Sequence, residues 1–203
     1  MRANRFLKNG SSGNFGRKMK RKLLINLLNS YLPSYEEEIK FKTQMLNFID
    51  IHDDCFERSL IKGHITGSAW LVNRDQSKAL LTHHAKLGNW YQLGGHSDGD
   101  PNTLAVALKE AREESGLRSI SPISTSIFDI DIHLIPENPK NKAHYHYDVR
   151  FLLQATEDEE IRANHESKQL LWISKDQNSL PTSNPSIIRM FNKWNNLQTS
   201  AIV

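Results

Sequence analysis

Three glutamates, Glu110, Glu113 and Glu114, stand at i, i+3 and i+4 of a stretch whose apolar residues follow a helical period. On a helix that spacing gathers them within one arc of surface. Neighbouring carboxylates repel by roughly 1 kcal/mol per pair in a water-like dielectric, and by more once desolvated. Something cationic has to offset that repulsion. Hard divalent ions take oxygen ligands, and Mg²⁺ accepts a few carboxylates together with waters and phosphate oxygens. A solvated helix face braced by Lys109 and Arg112 is the simpler alternative. The loop just upstream, Gly94-Gly95-His96-Ser97-Asp98-Gly99-Asp100, shifts the odds toward a site. A glycine backbone there lets an ion or a phosphate approach without a Cβ in the way.

A second constellation lies downstream. Asp129, Asp131 and His133 alternate with apolar residues, and His144, His146 and Asp148 do the same. If residues 136–143 join the two stretches as a hairpin, six polar groups share one sheet face. They could form a second metal site or read a substrate; ordinary exposed-face positions are the alternative. Contact with substrate is the expectation for His144, His146 and Asp148. Around the glycine loop, His83, His84, His96 and Trp90 also gather, and His96 is the one expected to act because its neighbours are polar and flexible. Trp90 and Tyr91 are expected to pack rather than to stack on a base.

The elements that must hold these groups can be traced along the chain. Residues 9–16 are small, polar and linker-like. Leu23, Leu24, Leu27, Leu28 and Tyr31 then fall on one helical face that Pro33 ends, and Ser34 with Glu37 resembles a capping box for a second helix to about residue 50. This helical pair is expected to brace the main core, with a homodimer surface and a lid as its other uses. Ile65–Val72 and Ala79–Thr82 read as strands across a polar turn, and the glycine loop leads into a helix over about 102–115. Leu104, Leu108 and Ala111 lie opposite the glutamates, and Gly116 supplies the usual C-terminal stop. Two alternating strands, a short one at Leu170–Ile173, and a last helix opened by Asn184-Pro185 complete the pattern. Its stripe is Ile187, Met190, Phe191, Trp194 and Leu197. Strands and helices alternate irregularly, which predicts a mixed sheet covered by helices.

The 203 residues suffice for one domain and an extension, and a composition 38% hydrophobic and 24% charged suits a packed soluble fold. No apolar run approaches the roughly 18 to 20 residues of a membrane span. A lone cysteine, Cys55, excludes an internal disulfide and a multi-cysteine zinc site, and reads as a small buried side chain in a reducing compartment. Residues 1–22 hold eight of the 26 basic residues, ahead of the first acid at Glu36; the rest of the chain carries 18 against 23 acids, a net −5. The basic front is read as a solvated, disordered leader over 1–18, and translation from Met19 is an alternative start. It lacks interleaved aromatics beyond Phe6 and Phe15, so no nucleic-acid partner is expected.

One resemblance then joins these pieces. The run Gly95-x5-Pro101-x7-Lys109-Glu110-Ala111-Arg112-Glu113-Glu114-Ser115-Gly116-Leu117 resembles the signature of the Nudix hydrolases, G-x5-E-x7-R-E-U-x-E-E-x-G-U with U a bulky apolar residue. Pro101 replaces the first glutamate, Lys109 the arginine, and Ala111 is small for the first U. Further matches at His64-Ile65-Thr66-Gly67-Ser68-Ala69, Leu81-Thr82-His83-His84, Trp90-Tyr91-Gln92-Leu93-Gly94-Gly95-His96 and His144-x-His146-x-Asp148-x-Arg150-Phe151 look like one bacterial subgroup. The resemblance implies an α/β/α sandwich on a mixed β-sheet over 59–203, preceded by the helical extension over 19–58. It implies a cytoplasmic, metal-dependent hydrolase that cleaves the pyrophosphate of a nucleoside diphosphate linked to another moiety. Gly95, Glu110, Glu113 and Glu114 would hold Mg²⁺, with Mn²⁺ as its substitute. Glu113, Glu114 or Glu166 would take the proton from water, while His96, His144, His146 and Asp148 would meet a small nucleotide derivative. A non-catalytic nucleotide-binding or sensor module of the same fold is the alternative that Pro101 and Lys109 motivate.

Overall fold

The computed structural model describes residues 11–137, 139, 142–157, 160–165 and 167–197. Helix α1 (Ser11–Ser30) and helix α2 (Glu36–Ile51) form the N-terminal extension. Helix α1 takes in residues 11–16, which corrects their linker-like reading, and residues 1–10 of the expected leader lie outside the described residues. Buried Leu24 and Leu28 anchor its second half, and once a helix is nucleated each further residue is added cheaply. The box that opens α2 is displaced by one residue from its expected place. Glu38, not Glu37, accepts the backbone N–H groups of Ser34 at 2.8 Å and Tyr35 at 3.0 Å.

An eight-stranded mixed sheet follows. Strand β1 (Gly63–Val72) pairs in parallel with β7 (His144–Ala155), and its two halves pair antiparallel with β4 (Leu93–His96) and β2 (Lys78–His84). On the outer side of β7 run β6 (Asp129–Ile135) and β5 (Ile120–Pro122), both antiparallel to it. Short β3 (Trp90–Tyr91) and β8 (Ser167–Ser174) complete the β2 side. Helix α3 (Thr103–Ser115) follows β4, and helix α4 (Pro185–Asn195) closes the chain.

Alternation along the strands divides the core into two layers. Ile65, Ala69, Leu71, Val149, Phe151 and Leu153 pack with Ala107 and Ala111 of α3 and with Leu24, Leu28, Met45 and Ile49 of the extension. On the opposite face Trp70, Val72, Leu152 and Ile173 meet Ile187, Met190, Phe191 and Trp194 of α4. The result is the mixed-sheet α/β/α sandwich the sequence led one to expect. Leu197, counted in the α4 stripe, lies beyond the helix and is exposed.

Strand β4 is where local pattern misleads. Gly94, Gly95 and His96 read as a loop, yet they pair with β1 in the register Gly67↔Gly95 and Thr66↔His96. Glycine is poor in strands, but here the absent side chain is the point: a Cβ on Gly67 would lie 2.6 Å from the Thr103 carbonyl of α3. Gly67 of β1 and Gly95 of β4 together let helix α3 approach the sheet closely.

Candidate active site

Helix α3 carries the carboxylates, and its ends are set locally. Asn102 caps it, accepting from the Ala105 N–H at 3.1 Å, and Asp100 in turn accepts from the Asn102 N–H at 2.9 Å. Pro101 therefore sits just outside the helix. Gly116 adopts φ 73 and donates to the Arg112 carbonyl, ending α3 as a left-handed cap. Val106, Ala107 and Ala111 are buried, whereas Leu104 and Leu108 are half-buried against the core.

The three glutamates differ in burial. Glu114 is 6% exposed and accepts the Gly94 N–H at 3.0 Å. Glu110 lies against Gly95 so closely that a Cβ there would be 2.5 Å from the carboxyl carbon. Glu113 points outward, its side chain 56% exposed. Lys109 places its ammonium 3.1 Å from Glu110 and 3.6 Å from Glu113, and these contacts raise its pKa, the Glu110 hydrogen bond first. Arg112 turns away and donates to the carbonyls of Arg118 and Ile120. The carboxylates thus lie on one side of β4 with Lys109, 60% exposed, offsetting part of their charge.

Carboxylate oxygens are the donor type that a hard divalent cation takes. Glu114 is fixed by the Gly94 N–H, Glu110 packs against Gly95, and the Lys109 ammonium lies beside both Glu110 and Glu113. The rest of the glycine loop is fixed from outside: Arg58 grips Asp98 with two donors and holds its carboxyl below the usual range, and the Gly99 N–H donates to Phe56.

The second constellation comes together as the hairpin pattern suggested. Register pairs Asp129 with Arg150, Asp131 with Asp148, and His133 with His146. Its two ends behave differently. Arg150 donates to Asp129 at 2.9 Å, Asp131 at 3.2 Å and Asp148 at 2.7 Å. From α4, Arg189 bridges Asp129 and Asp131, and Lys193 reaches Asp129, Tyr31 and Glu38. Burial alone would raise the pKa values of Asp129 and Asp131, but the guanidinium groups hold both below the ordinary carboxylate range. Asp148 accepts from Thr66, Ser68 and Gln92 as well as Arg150, and is 1% exposed. Both of its oxygens are engaged by these donors.

At the other end the ring centroids of His64, His144 and His146 lie within 5.3 Å of one another, with that of His96 4.9 Å from His64. Burial, with neighbouring imidazoles second, pushes His64 down to about 4 and His146 down to about 2. His96 pairs with Thr66 and Gly95 with Gly67, so His96 lies on the sheet face opposite the glutamates. Of the remaining expected residues, Glu166 lies outside the described residues. Trp90 packs against the α4 core. Cys55 is fully buried, and burial pushes its thiol up to about 12, which removes it as a nucleophile.

Sequence reasoning missed Arg189, Lys193 and Glu38 as partners of the strand carboxylates. Their only trace is a pair of basic residues four apart on α4, a spacing equally common on solvated helices.

None of the curated proteins matches this chain. Among solved structures, a NUDIX-family hydrolase from Clostridium perfringens is 26% identical, the alignment covering 66% of this chain and 98% of that one with a TM-score of 0.46. The M. smegmatis Nudix hydrolase RenU is 20% identical over 64% of this chain and 83% of its own, TM-score 0.48. A UDP-X diphosphatase is 14% identical, covering 95% of this chain and 98% of that one at 0.48. The NUDIX domain model matches residues 63–194, from the first residue of β1 into the last turn of α4. The chain belongs to the NUDIX domain family.

Proposed function

We propose that the protein is a divalent-cation-dependent pyrophosphohydrolase acting on a nucleoside diphosphate linked to another moiety. The observation that carries this reading is the seat formed where Gly95 leaves room for the Glu110 carboxylate and the Gly94 N–H fixes Glu114. Gly95, Glu110, Glu113 and Glu114 would hold Mg²⁺, or Mn²⁺ in its place, supplying charge neutralisation for the pyrophosphate and a lower pKa for water.

The chain's own groups divide the remaining work. Glu114 is held by the Gly94 N–H and Glu110 packs against Gly95, which limits the ordering that ligation requires. Glu113, the most exposed of the three, accepts the proton as the water oxygen bonds to phosphorus. The bridging P–O bond breaks and its electron pair leaves with the second phosphate. Glu114 has an oxygen committed to the Gly94 N–H, which favours Glu113 over it as base. Glu166 stays a further acceptor to be tested by substitution.

The bridge from Lys109 to Glu110 and Glu113 favours one competing reading, a nucleotide-binding sensor in which the lysine stands in for the cation. A panel of nucleoside diphosphate derivatives with Mg²⁺, products identified by mass spectrometry, separates the two. The hydrolase reading expects two phosphorylated products from at least one compound and loss of about 10²-fold or more in kcat on Glu113→Gln. Binding without turnover, unchanged in Glu113→Gln, would establish the sensor instead.

A further inference from the structure

We infer that His64, His144 and His146 form a second metal site, suited to a borderline transition-metal ion such as Zn²⁺ and separated by the sheet from the carboxylates of α3. One ligand nitrogen from each of the three rings can be chosen so that all lie within 4.8 Å of one another, and among the described residues this is the one His/Cys/Asp/Glu trio so arranged. With bonds of about 2.0–2.1 Å, two nitrogens around one ion are at most about 4.2 Å apart. Closing the trio takes side-chain rotation, not movement of β1 or β7.

The strands explain why the trio exists. His64 pairs in register with His146 across the parallel β1–β7 ladder, and His144 follows two residues earlier on the same face. Gly67, three residues on from His64, meets α3, so the rings of His64, His144 and His146 are on the face away from the glutamates. A metal there shares β4 as a wall with the candidate active site and shares no ligand with it.

Ring nitrogens that find no partner are the second observation. His64 is 2% exposed, and neither its Nδ1 nor its Nε2 has a hydrogen-bond partner; the Nε2 of His146 is equally buried and unpartnered. Burying such groups costs about 1–3 kcal/mol each unless something binds them. His144 is prepared differently: it donates from Nδ1 to the Lys142 carbonyl at 2.7 Å, which fixes the tautomer and leaves Nε2 as the lone-pair donor. Metal-bound histidines are commonly oriented in this way. The half-buried edges of His144 and His146 give an ion its way in.

The donor chemistry selects the ion. Three imidazoles and no carboxylate suit Zn²⁺, Co²⁺, Ni²⁺ or Cu²⁺ and not Mg²⁺. The His96 ring, 4.9 Å from His64 and 5.1 Å from His146, flanks the fourth position.

Zn²⁺ binding to the metal-stripped full chain, by calorimetry in excess Mg²⁺ and by Co²⁺ absorption, tests this apart from any activity. The site predicts one ion per chain, visible Co²⁺ bands of low-coordinate geometry, and affinity at least about 100-fold weaker in His144→Gln and His146→Gln. Glu110→Gln should leave the isotherm unchanged. His144, half-buried at the rim, is the substitution least prone to disturb folding, which circular dichroism checks. Absence of Zn²⁺ binding by a folded chain, unchanged binding in both histidine variants, or loss of binding in Glu110→Gln would each overturn the site.

Discussion

The face of β6 and β7 turned from α3 carries two polar blocks a few residues apart, and they solve burial in opposite ways. In the block under α4, both oxygens of Asp129, Asp131 and Asp148 are engaged by Arg150, Arg189, Lys193 and neutral donors. In the histidine block, ring nitrogens of His64 and His146 are buried with nothing attached. Strand alternation produces both blocks from one pattern. What separates them is the cover: α4 brings two cations to the first, whereas among the described residues both ring nitrogens of His64 and the Nε2 of His146 find no hydrogen-bond partner. A buried polar cluster that satisfies itself is structural, whereas one that does not is a place for something to bind.

The largest expected effect breaks the satisfied block. Arg150→Met leaves three buried carboxylates short of their shared cation and should cost about 3–5 kcal/mol in denaturant unfolding at pH 7. A loss below about 1 kcal/mol would mean the block is hydrated in solution. The other side of the same strands comes next. Gly95→Ala puts a methyl against the Glu110 carboxyl and should lower kcat/KM by about 10²-fold, with a smaller change in stability; full activity would remove Gly95 from the seat.

Acid sharpens the contrast more gently. Because Asp129 and Asp131 have folded-state pKa values below their unfolded ones, the stability they contribute is fully present above about pH 4 and is lost as pH falls below it. Unfolding midpoints between pH 6 and 3 should fall less steeply in Asp131→Asn than in the parent, by about 1 kcal/mol or more over the range. An identical slope contradicts the ion-pair account. The smallest effect belongs to the histidines: in metal-free protein His146→Phe should change stability by less than about 1 kcal/mol in either direction, since an unpartnered nitrogen is exchanged for carbon. A cost matching Arg150→Met would show that the ring is structurally engaged.

Much of the candidate active site is legible in the sequence because its determinants are local. The Asn102 cap, the i, i+3, i+4 glutamates and the Gly116 stop fix α3 over Thr103–Ser115 within a residue of expectation, and period-two alternation identifies β6, β7 and their pairing. What stays hidden depends on contacts between distant segments. Gly94 and Gly95 look like a loop because glycine carries no strand signal, and only the approach of Glu110 reveals why the strand needs them. Asp148 and His146 are indistinguishable by alternation, yet Arg150, Thr66, Ser68 and Gln92 engage the one while the Nε2 of the other finds no hydrogen-bond partner. His64 sits in a strand buried along its whole length, and only the parallel register with β7 places it beside His146.

The proposed hydrolysis has its most direct test in the oxygen that water contributes. Turnover of a cleaved nucleotide in ¹⁸O-labelled water with Mg²⁺, products weighed by mass spectrometry, should place one labelled oxygen on a phosphate product per cleavage, with the labelled yield collapsing in Glu113→Gln. Label on a non-phosphate fragment, or an undiminished yield in that variant, would contradict water attack at phosphorus assisted by the α3 carboxylates.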